Sequence, residues 1–291
     1  MKKILSPRVM LITSMAIFGT IGIFVRNVSV SSGELALYRA LLAAILIGIY
    51  LLIKKQPLFS KEIKKEIPLL IASGVAMGFN WILLFEAYKY TTVSSATLSY
   101  YFAPVIVTVV CPIVFKEKLT VKQIICFCFS TLGIVLITGV GGAKGNNDLI
   151  GILFGLGAAV LYATVILLNK FIKNVAGIER TFLQFLAAIL VLFPYVMLTS
   201  GITLQGLSSI GWVNLLIVGI LHSGIAYCMY FSSLKELPGQ KAAILSYIDP
   251  LVAVLMSVTV LQEKMTLMQI IGGVLILGFT LWNEISHKKA K

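Results

Sequence analysis

The chain has 291 residues, of which 59% are hydrophobic and only 12% charged, and its mean hydropathy is +1.00. A soluble domain carries about a quarter charged residues. Half that share excludes a water-soluble fold of one or two domains, and with it disorder, coiled coil and collagen-like order. The net charge of +13, from 24 Lys and Arg against 11 Asp and Glu, would indicate nucleic acid in a soluble protein. Here the basic residues lie between long apolar runs, the placement expected of cytoplasmic membrane loops. The composition therefore reads as a polytopic membrane protein with no nucleic-acid partner.

A helix crosses the roughly 30 Å hydrocarbon core with about 20 residues. Ten apolar runs reach that length, at 9–26, 34–53, 67–88, 93–115, 121–140, 150–171, 179–199, 211–232, 239–261 and 267–284. The first run lacks a small-residue cleavage site and reads as a span rather than a signal peptide. The longest link, Lys54 to Glu66, is too short for a soluble domain, so the function must reside within the bundle. With the N-terminus cytoplasmic, nineteen Lys and Arg fall on that side and four (Arg26, Lys89, Lys144 and Lys264) on the other, while Arg39 lies within a span. The positive-inside rule then places both termini in the cytoplasm and the protein in the cell membrane.

The chain is internally repeated. At an offset of 146, residues 78–125 match 224–271 without a gap and 13 of the 48 positions are identical. Tyr101 pairs with Tyr247 and Pro104 with Pro250, and Glu117-Lys118-x-Thr120-x-x-Gln123-Ile124-Ile125 recurs as Glu263-Lys264-x-Thr266-x-x-Gln269-Ile270-Ile271. Earlier in the chain, Leu42–Leu46 recurs as Leu186–Leu190 at an offset of 144. The expected organisation is thus all-α and integral to the membrane: ten transmembrane helices forming two inverted five-helix repeats, 1–145 and 146–291, around a central cavity. Five spans per half is odd, so the second half enters from the opposite side. Inverted repeats recur in transporters, with the site at the repeat interface.

The duplicated five-span unit, Phe18-Gly19 in span one, Arg39-Ala40-Leu41-Leu42-Ala43 in span two and the repeated Pro104/Glu117 and Pro250/Glu263 pairs resemble the EamA family of the drug/metabolite transporter superfamily. The resemblance covers essentially the whole chain. It implies a basket-like ten-helix bundle with a central cavity, and export of amino acids, other metabolites or drugs. Phe18 departs from the tryptophan that family members often carry there.

Polar groups at membrane depth are costly, which makes each a functional candidate. Arg39 lies about five residues into span two; it is either a pathway residue or an anchor paired with Glu34 or a backbone carbonyl. Asn80, Trp81, Leu84 and Tyr88 are expected on one face of span three. The offset maps Trp81 onto Tyr227, Leu84 onto Tyr230 and Tyr101 onto Tyr247. These aromatics could line a cavity suited to an amphipathic or aromatic solute, or could be ordinary helix packing. His222 and Asp249 fall mid-span. Pro250 loosens the turn beside Asp249, whose carboxyl could carry a proton, hold a substrate ammonium, or simply be hydrogen-bonded in the bundle. His222, lacking a second ligand, reads as a satisfied core histidine or as part of the pathway. Glu86 pairs with Lys89 near the outer end of span three. Pro104, Pro250, Glu117 and Glu263 are hinge or capping residues.

Cys111, Cys126, Cys128 and Cys228 all lie in apolar runs, outside any CxxC or Cys/His cluster, so they read as small buried residues. No metal, cofactor or catalytic group is expected. The reading is a secondary transporter for small amphipathic metabolites such as amino acids. It would export by alternating access, as a facilitator or a proton-coupled exchanger. The competing readings are an importer and an intramembrane enzyme, the latter disfavoured because no nucleophile or metal motif is present. The expected partners are a small-molecule substrate, the bilayer and, as coupling ion, protons; the chain acts as a monomer or homodimer.

Overall fold

A computed structural model describes residues 6–54, 61–115, 120–138, 146–175, 177–234, 237 and 245–286. Every regular element among them is helical, and a short 3-10 helix at Leu204–Gly206 is set apart from the longer ones. In chain order they are α1 (Pro7–Gly19), α2 (Ile21–Arg26), α3 (Ser32–Ile53), α4 (Lys61–Tyr90), α5 (Val93–Tyr100), α6 (Ala103–Phe115), α7 (Val121–Thr138), α8 (Asn146–Phe171), α9 (Gly177–Thr199), α10 (Ser209–Leu216), a π-helical stretch (Ile217–Ile225), α11 (Ala226–Leu234), α12 (Ile248–Thr259) and α13 (Leu267–Ser286). Seven of the expected spans are long and apolar enough to cross a membrane. The remaining three runs form shorter apolar helices over the described residues, Val121–Ile137, Ile248–Thr259 and Leu267–Asn283.

Helix starts follow side-chain capping of otherwise unsatisfied amides. The Ser31 hydroxyl accepts from the Glu34 amide at 3.0 Å, and the Thr92 hydroxyl from the Ser95 amide at 3.1 Å. Reciprocal caps close α7 and α13: Gln123 Oε1 accepts from the Thr120 amide at 2.8 Å, and Gln269 Oε1 from the Thr266 amide at 2.9 Å. The threonine hydroxyls accept in return from the Gln123 and Gln269 amides, the pattern of a capping box.

Two breaks differ from the uninterrupted spans expected at 93–115 and 239–261. The first helical stretch ends at Tyr100 and resumes at Ala103, and Tyr247 is a turn before α12. The cause is the repeated proline. Pro104 has no N–H for the Tyr100 carbonyl and its ring crowds that carbonyl, and Pro250 stands in the same relation to Ser246. Asp249 consequently sits in the first turn of α12 rather than in the middle of a helix. Span one is also interrupted, at Thr20.

In the bundle, α4 packs against α8 and α9, and α3 against α9 and the π-helical stretch. Helix α1 packs on α11 and α12, α5 on α8 and α12, and α7 on α13. Close approach is decided by small residues. A Cβ on Gly74 would lie 2.4 Å from the Gln184 carbonyl oxygen of α9, and one on Gly19 would lie 2.5 Å from the Asp249 carbonyl oxygen of α12. The outward faces carry exposed Ile45, Leu52, Leu190 and Leu198, a surface that matches lipid rather than water.

Candidate functional site

Arg39 is carried on α3 and is only 5% exposed, so its head does not reach the interface. Its Nε donates to Ser223 Oγ at 2.6 Å, and the guanidinium carbon lies 4.6 Å from the Trp81 ring centroid and 5.6 Å from that of Phe85. Ser223 is presented by the π-helical stretch, where its hydroxyl donates to the Val218 carbonyl. The anticipated pairing with Glu34 does not form. Residues five apart point about 140° away from each other around a helix, and Glu34 is taken by Thr203, whose amide donates at 2.7 Å and whose hydroxyl donates at 2.5 Å. Among the described residues, Nε to Ser223 is the one hydrogen bond Arg39 makes and no carboxylate lies within 4 Å of it.

The second charge enters from α12. Asp249 Oδ2 accepts from the Tyr101 hydroxyl at 2.5 Å; Tyr101 stands at one helix break and Asp249 just past the other. Asp249, Tyr88, Tyr100 and Tyr227 are all within electrostatic reach of Arg39, so the two charges share one interior without pairing. Two groups of aromatic rings lie near them. Trp81 meets Phe185 at 5.2 Å between centroids, Phe185 meets Tyr227 at 5.4 Å, and Tyr227 meets Phe18 at 5.0 Å. Phe18 continues to Tyr230 at 6.3 Å, while Tyr100 contacts Tyr101 and Tyr162 at 5.7 and 5.1 Å. Tyr100 and Tyr162 are stacked and the other pairs meet edge to face, both favoured arrangements of aromatic rings.

The other expected residues are placed as follows. Asn80 turns away from Trp81, since consecutive helical residues diverge by about 100°, and its amide donates to the Ala158 carbonyl of α8 at 2.6 Å. Tyr88 approaches Thr97 at 3.5 Å. Tyr247 is buried at the break itself. Both nitrogens of the wholly buried His222 are engaged: Nδ1 donates to the Ile217 carbonyl at 3.2 Å and Nε2 lies 3.0 Å from the Thr20 hydroxyl. Glu117 lies outside the described residues. Its counterpart Glu263 ties three elements together at one end of the bundle. It forms an ion pair with Arg26, accepts from Ser257, and accepts from the Val93 amide at 2.9 Å, while Arg26 also donates to the Thr91 carbonyl.

At that same end, where α2 finishes, α3 begins and α4 finishes, lies a cavity of about 440 Å³ bounded by Arg26, Ser32, Leu35, Phe85, Tyr88 and Lys89. Phe85, one of its lining residues, is also the ring whose centroid lies 5.6 Å from the Arg39 guanidinium carbon. On its rim Lys89 pairs with Glu86 at 3.1 Å, and Glu86 also accepts from Ser32. Sequence reasoning overlooked Ser223, Phe185, Tyr100 and Tyr162. A signal existed for Tyr162: it stands 144 residues after Phe18, so both halves carry an aromatic at that position.

Seven membrane-length apolar helices, joined by three shorter apolar ones, make this a multi-pass membrane protein. The model of the EamA-like transporter family matches residues 6–139 and again 149–283, and the chain belongs to that family. It is 32% identical to the uncharacterized transporter YxxF of Bacillus subtilis, over 91% of this chain and 85% of the relative. It is 25% identical to an uncharacterized transporter of Archaeoglobus fulgidus, over 94% and 95%, and 27% identical to protein PecM of Dickeya dadantii, over 72% and 70%. A solved crystal structure superposes with a TM-score of 0.66 at 16% identity, covering 94% of this chain and 96% of the other; that likeness concerns the fold.

Proposed function

We propose that the protein is a secondary transporter of the cell membrane that exports small amphipathic metabolites, in the first place amino acids and related compounds. It would work by alternating access, as a facilitator or in exchange for protons, as a monomer or homodimer with both termini cytoplasmic. The observation that carries the reading is the central pair of unmatched charges: Arg39 from the first half and Asp249 from the second face one aromatic interior without neutralising each other. Such a pair is costly inside a bilayer, and a solute with both an apolar body and polar groups offsets that cost when it binds.

The ten-span, inverted organisation into 1–145 and 146–291 is part of this proposal. It is supported by the two separate family matches, one on either side of residue 145, and by the packing. Under the sequence offsets, α3 on the π-helical stretch corresponds to α9 on α4, and α1 on α11 and α12 to α8 on α4, α5 and α6. A scaffold built from equivalent interfaces can exchange two arrangements of similar energy, which alternating access requires.

The test is flux from vesicles containing purified protein and preloaded with amino acids and small metabolites, with and without a pH gradient. Selective loss of particular solutes is expected. Where a proton gradient accelerates it, Asp249→Asn should abolish the acceleration, and Trp81→Ala or Tyr227→Ala should weaken substrate retention in folded protein. No loss of any solute would count against the reading, and unchanged pH dependence in Asp249→Asn would remove the carboxyl from proton transfer.

A further inference from the structure

The two central charges differ in how they can live without a partner. A carboxylate in an apolar interior can take up a proton and become neutral, and Asp249 already holds the Tyr101 hydroxyl. A guanidinium cannot shed its proton inside a protein. Arg39 is nonetheless 5% exposed, and among the described residues it spends only Nε on a hydrogen bond. Both terminal nitrogens are left without an acceptor there, in a planar fork whose face rests on Trp81. That fork matches one partner geometry above others, a planar oxyanion accepting two parallel N–H bonds.

Resting on the transport reading above, we propose that Arg39 is the anchor for a substrate carboxylate. The substrate class is accordingly organic monocarboxylates with an apolar or aromatic body, in which the amine of an amino acid is tolerated but not required. The acid group lies against the Nη atoms of Arg39 and the body along Trp81 and Tyr227, two rings that the wholly buried Phe185 ties together. Asp249 becomes secondary: protonated, it accepts a solute without an amine; ionised, it faces an ammonium. Phe85 lies against this anchor and also lines the 440 Å³ cavity.

Trp81 is one of three tryptophans and lies under the guanidinium, so it reports occupancy without any transport measurement. With Trp212→Phe and Trp282→Phe in place, detergent-solubilised protein is titrated with isocaproate, leucine, leucinamide and isoamylamine, an aliphatic series that does not absorb with the indole. Saturable shifts in Trp81 emission are expected with isocaproate and leucine and absent with leucinamide and isoamylamine. Arg39→Gln should weaken the isocaproate response by roughly 30-fold or more, the usual loss for one partner of a buried charge pair. Arg39→Lys, which keeps the charge but not the fork, should fall between. Equal responses to acid and amide, no saturable response to either acid, or an undiminished response in folded Arg39→Gln would each overturn the proposal. The transport reading fails separately: acid-specific Trp81 shifts with no flux of any solute would remove transport and leave the carboxylate site, whereas flux indifferent to Arg39→Gln would do the reverse.

Discussion

Thr120 and Gln123 close the first turn of α7 by a reciprocal cap, and 146 residues later Thr266 and Gln269 close α13 in the same way. Both halves break a helix shortly before the repeated proline. The charges follow no such rule. At the offset of 144, Arg39 corresponds to Leu183, and at 146 Asp249 corresponds to Ala103. Capping, proline breaks and close packing can be duplicated without penalty because each is satisfied locally. A buried charge is not satisfied locally, and two copies of each would repel across the interface. The comparison teaches that the capping, the proline breaks and the close packing are shared between the halves, whereas the interior cation and carboxyl are not.

The sharpest way to break this comparison lies at Gly19 and its counterpart Ala163, 144 residues later. Ala163 clusters with the small, fully buried Ala103 and Ala159, against which Phe102, Ile106, Val107 and Tyr162 pack. Gly19 instead lies against the backbone carrying the carboxylate, where a Cβ would approach the Asp249 carbonyl oxygen to 2.5 Å and Val252 Cβ to 2.7 Å. Gly19→Ala should therefore cost about 3 kcal/mol by overpacking, whereas Ala163→Gly should cost only about 1 kcal/mol, the helix penalty of glycine. Thermal unfolding of the two purified variants checks this; equal losses would mean that the asymmetric charge does not shape the packing of span one.

A second, smaller effect has the opposite sign. The scaffold accepts leucine at position 183, so the charge at position 39 is not needed for packing. Replacing an unpaired buried ion by an apolar residue of similar volume is commonly neutral or stabilising. Arg39→Leu is expected to raise thermal stability by on the order of 1 kcal/mol while removing the acid response at Trp81. A drop in stability would identify Arg39 as a structural anchor.

Much of the scaffold was legible in the sequence because its causes are local. The capping residues, the proline pairs and the Glu86–Lys89 neighbours each act within a few positions along the chain. The site was legible only as a set of residue types. Arg39, Trp81, Tyr227 and Asp249 could be singled out as polar or aromatic groups at membrane depth. Which of them meet depends on rotations about helix axes that no single span determines. Asn80 and Trp81 are neighbours in sequence yet face α8 and Arg39 respectively. The π-helical stretch that brings Ser223 to Arg39 leaves no mark in hydropathy, because one extra residue per turn changes the register of a helix and not its composition.

The smallest effect probes the shared part. Gln123→Ala and Gln269→Ala each remove one member of a capping box, a loss of about 0.5–1 kcal/mol where the cap acts alone. The two should nevertheless differ. Gln269 Nε2 also donates to Ser95 Oγ of α5 at 3.3 Å, whereas the position equivalent to Ser95 in the second half is Lys241, which offers a donor and no acceptor. Gln123 has a local bond of its own, the Thr120 hydroxyl donating to its Oε1 at 3.0 Å. The tie to Ser95, however, is buried and joins two helices, so Gln269→Ala should lose more than Gln123→Ala, by up to about 1 kcal/mol. Hydrogen exchange at the amides of Thr120 and Thr266 separates the shared cap from the added contact. Comparable loss of protection at both threonines, with a larger fall in unfolding temperature for Gln269→Ala alone, is the expected result. Equal falls would mean that the tie to α5 adds nothing beyond the local bonds of the cap.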